Sequence, residues 1–169
     1  MSLASALVGR LRLRRLTRCG RRVEVQGRLW VHGPGEVEVG DATQLCGGAT
    51  GIDFRPAKNA RIVIGTRCRV SEGVMIEATE LVQLGDRVVV GPWAKILDND
   101  FHPLDGSGEQ PPPKPVIIDD DVVIGSRAII LPGVRIQKGA RIEDGAVVHR
   151  RVAAGARMAG NPATVVKSA

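Results

Sequence analysis

The sequence contains no tyrosine, and its 169 residues include only two phenylalanines and two tryptophans. Hydrophobic residues still make up 43% of the chain, so a core of Val, Ile, Leu and Ala is required, and one built on aromatic packing is excluded. No run of 18 apolar residues occurs, and no membrane-spanning helix is expected. The N-terminus lacks an apolar stretch followed by a cleavage site, which argues against a secretory signal. Cysteine is scarce as well. Cys19, Cys46 and Cys68 are odd in number and share no C-x-x-C spacing. That usage fits a reducing cytoplasm and argues against a disulfide framework or a structural zinc site. The length suits one domain.

The net charge of +6 is not a property of the whole surface. Seven arginines and no acid fall within residues 1–22, leaving 17 of the 24 basic residues against 18 acids, a balance of −1. A surface built for nucleic acid is therefore not expected; the basicity belongs to one segment.

What is abundant is glycine (21) and proline (10), set in a repeat. From 118 to 159 an aliphatic residue opens each hexad: Ile118, Ile124, Ile130, Ile136, Ile142 and Val148, with Ala154 next in register. Four positions after each comes a compact residue: Val122, Ala128, Val134, Ala140, Ala146, Val152 and Met158. One register held over so many hexads is the mark of a repeat architecture. Each hexad reads as a short strand plus a turn, and three hexads close one triangular coil. The pattern predicts an all-β fold, a parallel β-helix, with Ile118 stacked on Ile136, Ile124 on Ile142 and Ile130 on Val148. Successive coils should lie about 4.8 Å apart. So narrow a prism predicts that aromatics are kept out of it.

The register also runs upstream. Leu84, Val90 and Ile96 open hexads, with Val88, Ala94 and Asp100 in the compact slots. Ile64, Val70 and Ile76 open an earlier set, with Cys68 and Val74 behind them. The step from Ile76 to Leu84 is eight, so two residues should bulge out near 79–82. Val39 and Leu45 suggest a first, less regular coil. Residues 46–60 do not fit the repeat and read as a looped coil. The alternation from Val23 onward reads as the entry to the β-helix. An aliphatic is due six residues after Ile96; the sequence supplies His102 instead, followed by "PLDGSGEQPPPKPV". So polar and proline-rich a stretch predicts an extruded loop at 103–117, with register resuming at Ile118.

With the hexads, "DNDFHPLD" and the terminal "AGNPATVV", the chain resembles the hexapeptide-repeat acyltransferases, in particular the bacterial O-acetyltransferases of sugars and polysaccharides. The likeness runs from about Val37 to Lys167. It implies a left-handed parallel β-helix, a hand opposite to the usual crossover preference. It implies acetyl-CoA as acyl donor, no metal, and a homotrimer with the site between two prisms. His102 matches the family's catalytic base, with Asp98, Asp100 or a backbone carbonyl left as candidates to orient it. Imidazole suits the task because it titrates near neutrality and can take a proton from an attacking hydroxyl.

For the donor, the resemblance places Ser126 beside the thioester, and the turn "IGS" at 124–126 could offer a backbone N–H to the oxyanion. Arg150 and Lys167 match basic residues near the nucleotide, and Gly160 and Pro162 match the turn against which adenine packs. The sequence departs from the family's usual pattern at Val123, where many relatives carry Trp, and at "VHRR" (148–151). Trp93 should point outward, to a subunit interface or the acceptor cleft.

The expected acceptor is the hydroxyl of a sugar, polysaccharide precursor or glycosylated small molecule. The rivals are N-acetylation of a nucleotide-linked amino sugar, drug acetylation, and a non-catalytic β-helical scaffold. Zinc-dependent hydration on a similar fold is disfavoured, because His32 and His149 lie far from His102 in sequence. Residues 1–22 read either as a cap on the first coil or as a short basic helix resting on an anionic membrane surface.

Overall fold

The computed structural model describes residues 16–100 and 111–166. Within them eighteen strands, β1–β18 in chain order, wind into a prism with three flat faces. One face stacks β1 (Arg18–Cys19), β3 (Glu36–Val39), β5 (Arg61–Ile64), β8 (Leu81–Leu84), β11 (Val116–Ile118) and β14 (Arg135–Ile136). The second runs from the first part of β4 (Gln44–Pro56) through β6 (Arg69–Val70), β9 (Val89–Val90), β12 (Val123–Ile124) and β15 (Arg141–Ile142) to β17 (Arg157–Ala159). The third takes the remainder of β4 and continues through β7 (Met75–Ala78), β10 (Lys95–Leu97), β13 (Ile129–Ile130) and β16 (Val147–Val148). β2 (Glu24–Val31) lies along β4 on both faces, and β18 (Thr164–Val165) turns back antiparallel on β17. Every other pairing is parallel, as a coil that never reverses direction requires. No helix among the described residues is long and apolar enough to cross a membrane.

The predicted stacking holds where the hexads are regular. Ile118 lies on Ile136, Ile124 on Ile142 and Ile130 on Val148. Below them sit Leu84, Val90 and Ile96, then Ile64, Val70 and Ile76. All twelve are at most 2% exposed, and together they form three vertical aliphatic ladders. Alternation does the sorting, because neighbouring side chains on a strand point to opposite faces. Val90 is fully buried while Val89 is 37% exposed. Val90→Ala is therefore expected to lower stability by about 2 kcal/mol. Val89→Ala should stay within about 0.5 kcal/mol. Denaturant midpoints of the two variants check this, and equal losses would contradict the assignment of faces.

Four expectations are corrected. Within 46–60 only residues 57–60 leave the strand: β4 is a bent strand of 13 residues that carries the ladder around a corner, with Ile52 and Phe54 fully buried. The prism does admit an aromatic, since Phe54 takes the place beneath Ile76. The β-helix begins before residue 23: Leu16 is buried and β1 pairs with β3, so the end of the basic segment is already coil. Finally, the last coil loses two residues. Val152, not Ala154, sits on Ile136, and Met158 sits on Ile142 rather than in a compact slot. Ala154 is exposed.

Candidate active site

The prism is interrupted at one corner. β10 ends at Leu97, and the Lys114 N–H donates to the Asp98 carbonyl at 2.7 Å. The Lys114 carbonyl in turn accepts from the Gly133 N–H at 2.9 Å. Residues 98 and 114 are thus the two sides of one corner, between β10 and β11, with Gly133 stacked on it from the next coil, and the chain between 98 and 114 is an insertion at a neck that is hydrogen-bonded shut. Val116 is already buried and paired with Val82, so register resumes there, two residues before Ile118. His102 lies outside the described residues, as does Lys167.

Asp98 and Asp100 exchange the places expected of them. Asp100 is only partly buried, whereas Asp98 is fully buried. Alternation explains it, because Asp98 follows Ile96 by two and therefore faces inward with it. The Asp98 carboxylate accepts the backbone N–H groups of Thr79, Glu80 and Leu81 at 2.7, 2.7 and 2.8 Å. Those amides belong to the corner that the two extra residues near 79–82 widen. The insertion turns three N–H groups inward, and one carboxylate from the next coil satisfies them. The first described role of Asp98 is thus to hold the base of the neck.

Glu77 faces outward just below this corner, paired in register with Arg55 and Leu97. Burial pushes its carboxyl up; the charges of Asp98 and Asp53 act in the same direction, while Arg55 and a hydrogen bond with Asn99 oppose them. On the same face Arg55 holds Asp53 through Nε at 2.8 Å, and Asp53 Oδ1 lies 3.0 Å from His32 Nδ1. Sequence spacing could not bring these together, since β2, β4 and β7 meet only through the coil. Among the described residues no group of three or more His, Cys, Asp or Glu converges as a metal site.

Of the donor-site candidates, Ser126 sits at the corner between the second and third faces. Its N–H donates to Asp144 Oδ1 at 2.7 Å, and the Gly125 N–H donates to the Ile142 carbonyl at 2.8 Å. Both amides are thus consumed by the neighbouring coil, which removes them as the expected oxyanion donors. Gly145 donates its N–H to the Ser126 carbonyl, and Val147 donates to that of Gly160, so Ser126 and Gly160 climb the same corner. Gly160 adopts φ +96°, and Ala163, just beyond the cis Asn161–Pro162 bond, folds back to donate to Val147. Arg150 is exposed at the following corner. Trp93 points outward, 47% exposed.

The three faces, the hexad ladders and the interrupted corner define a left-handed parallel β-helix of hexapeptide repeats. Residues 115–150 match the sequence model of the bacterial transferase hexapeptide family (six repeats). Over 66 residues, 39% of this chain, the sequence is 54% identical to a 2,3,4,5-tetrahydropyridine-2,6-dicarboxylate N-acetyltransferase of Staphylococcus aureus. The match spans 28% of that enzyme's length. A hexapeptide-repeat-containing acetyltransferase of Vibrio cholerae, solved with acetyl coenzyme A, superposes with a TM-score of 0.66 at 22% identity, over 99% of this chain and 79% of the other. A polySia-specific acetyltransferase gives 0.64 at 19% identity over 90% and 78%.

Proposed function

We propose that this chain is an acetyl-CoA-dependent O-acetyltransferase acting in the cytoplasm as a homotrimer, with the hydroxyl of a sugar as acceptor. The observation that carries the reading is the neck. A regular coil is opened at one corner, next to "DNDFH", and the opening is braced by a buried carboxylate and a hydrogen bond that the repeat itself does not need. A scaffold would gain nothing from that expense. The similarity to acetyltransferases, one of them solved with acetyl-CoA and one specific for polySia, supports the choice of donor and acceptor. The three unpaired cysteines support a reducing compartment.

In this reading His102 takes the proton of the acceptor hydroxyl as its oxygen attacks the thioester carbonyl carbon. The C–S bond then breaks, and the imidazolium returns the proton to the leaving sulfur. An acetyl ester and free CoA result. Asp100 remains the candidate to orient the imidazole; Asp98 does so only if its carboxylate serves the neck and the ring together. Ser126 would lie beside the thioester, Arg150 and Lys167 beside the nucleotide phosphates, and Gly160 and Pro162 against the adenine.

N-acetylation is the second reading, favoured by the 54% identity over 66 residues to an N-acetyltransferase. One experiment separates the two. The protein is incubated with acetyl-CoA and matched hydroxyl and amine acceptors, thiol release is followed, and products are treated with mild alkali. O-acetylation predicts a product mass gain that alkali removes. An alkali-stable product would establish the amide, and no thiol release with any acceptor would leave the scaffold.

A further inference from the structure

The chain's only two tryptophans, 63 positions apart in sequence, meet at one groove on the third face. Its volume is about 610 Å³, and Trp30 and Trp93 flank it with Asp53, Met75 and Lys95 between them. Both rings are partly open to solvent, at 39% and 47% exposure.

Each indole lies on a glycine. A Cβ on Gly51 would come within 2.6 Å of Trp30 Nε1, and a Cβ on Gly73 within 2.5 Å of Trp93 Cδ2. Gly51, Gly73 and Trp93 occupy the same corner position in successive coils, linked by the Gly73 N–H to the Gly51 carbonyl and the Trp93 N–H to the Glu72 carbonyl. All three have positive φ, at +98°, +69° and +64°. Glycine takes this conformation freely; tryptophan does not. The conformation itself belongs to the coil's corners, since Arg67, Arg87 and Arg127 also have positive φ; what is particular here is a large ring projected outward over a glycine that leaves room for it. Nothing in the coil's packing asks for it, since the ring faces outward.

The polar groups are also prearranged. Asp53 is fixed by Arg55 at 2.8 Å and by His32 Nδ1 at 3.0 Å, which leaves the His32 Nε2 edge free to meet a ligand. The His32 ring lies parallel to that of Trp30, 9° between planes. Lys95 forms no ion pair with any described residue. Two flat electron-rich faces with hydrogen-bonding groups set between them suit a ligand that is itself two-sided. A pyranose has one face of C–H bonds, which are the positive edge an aromatic quadrupole attracts, and a rim of hydroxyls. A flat apolar ligand would cover Lys95 and the outer edge of His32 without pairing either.

We propose that the Trp30–Trp93 groove binds a pyranose ring of a sugar or glycan. The proposal deepens the acetyltransferase reading and rests on it only for the claim that the bound sugar is the acceptor. The groove reaches the corner where the Arg127 N–H donates to the Pro92 carbonyl, which puts Arg127 one coil above Trp93 and Ser126 above Pro92, next to it.

With no tyrosine and no third tryptophan, intrinsic fluorescence reports on this groove alone. The full-length protein is titrated with methyl glycosides of neutral, amino and uronic pyranoses, and with sorbitol, which has the hydroxyls but no ring. Saturable change with at least one pyranoside, and none with sorbitol, is expected. Trp93→Gly restores the residue type of Gly51 and Gly73 and should leave the fold intact; it should weaken binding about tenfold or more, read from Trp30 emission and calorimetry. Trp30→Ala should do the same. In acetyl-transfer assays Trp93→Gly should raise KM for the sugar with little change in kcat or in KM for acetyl-CoA.

No saturation, equal response to sorbitol, or unchanged affinity in both variants would overturn the groove. So would loss of self-association in Trp93→Gly without sugar binding in the parent, because the surface would then belong to a second copy. Sugar binding without thiol release would sink the enzyme reading and keep the groove. Sugar acetylation with an unmoved KM would do the reverse.

Discussion

His102→Ala is expected to lower sugar acetylation by about 10²–10⁴-fold, the range that a positioned general base contributes. The melting temperature should be nearly unchanged, because register passes from Ile96 to Val116 without using residue 102. The loss should fall on kcat, and KM for acetyl-CoA should hold. The parent should also lose activity on acidification, because a protonated imidazole cannot accept the hydroxyl proton. The remaining activity of the variant should lack that limb and rise with hydroxide instead. Thiol release followed from pH 5 to 9 in both proteins measures this. Equal rates would remove His102 from the chemistry, and an identical pH profile with a uniformly lower rate would make it a positioning residue.

The regular part of the fold was legible because burial follows a fixed period there. From Ile118 to Val148 each opening residue has the same job, and sequence alone reports it. Legibility fails where the period changes while the alternation within a strand continues. β4 keeps its inward residues, Leu45, Ile52 and Phe54, but spaces them by seven and two, so a reading locked to six sees only a loop. The truncation after Val148 is hidden for a related reason: Ala154 is a passable aliphatic, and nothing local shows that Val152 has taken its place.

Asp98 is the instructive case among the candidate residues. The hexad rule points to Asp100, four after Ile96, and the strand rule points to Asp98, two after it. The strand wins here because the widened corner lengthens the third face. Pro56 pairs with Ala78 there, both are buried, and Asp98 continues the column. The signal was present in the sequence as an eight-residue step in one coil and an acid at an inward position in the next. Linking them requires knowing that the two stack. The Trp30–Trp93 groove was not legible for the same reason, since only the winding of three coils brings residues 30, 53 and 93 to one surface.

Asp98→Ala should be the most destabilising single change at this corner. It removes an acceptor for three backbone N–H groups and opens a void beneath a neck that also hangs on the Lys114–Asp98 bond. Hydrogen bonds to a charged group contribute about 1.5–3 kcal/mol each, and a donor left buried without a partner is costlier still than one returned to water. Thr79 and Glu80 are exposed, so water can rescue part of the loss. A net penalty of about 3–5 kcal/mol is expected, the scale seen when one partner of a buried charged contact is deleted. At about 2–4 °C per kcal/mol for a chain of this size, the melting temperature should fall by roughly 6–20 °C. Asp98→Asn keeps one acceptor oxygen and should lose less than half as much. The pair also separates structure from chemistry. If Asp98 only braces the corner, kcat of Asp98→Asn below its own melting temperature should stay within about threefold of the parent, a difference under ~1 kcal/mol. If it orients His102 as well, kcat should fall far more than stability does, because a neutral amide cannot stabilise the imidazolium that forms during transfer. A loss of stability under about 1 kcal/mol in Asp98→Ala would show that the corner does not depend on the carboxylate at all.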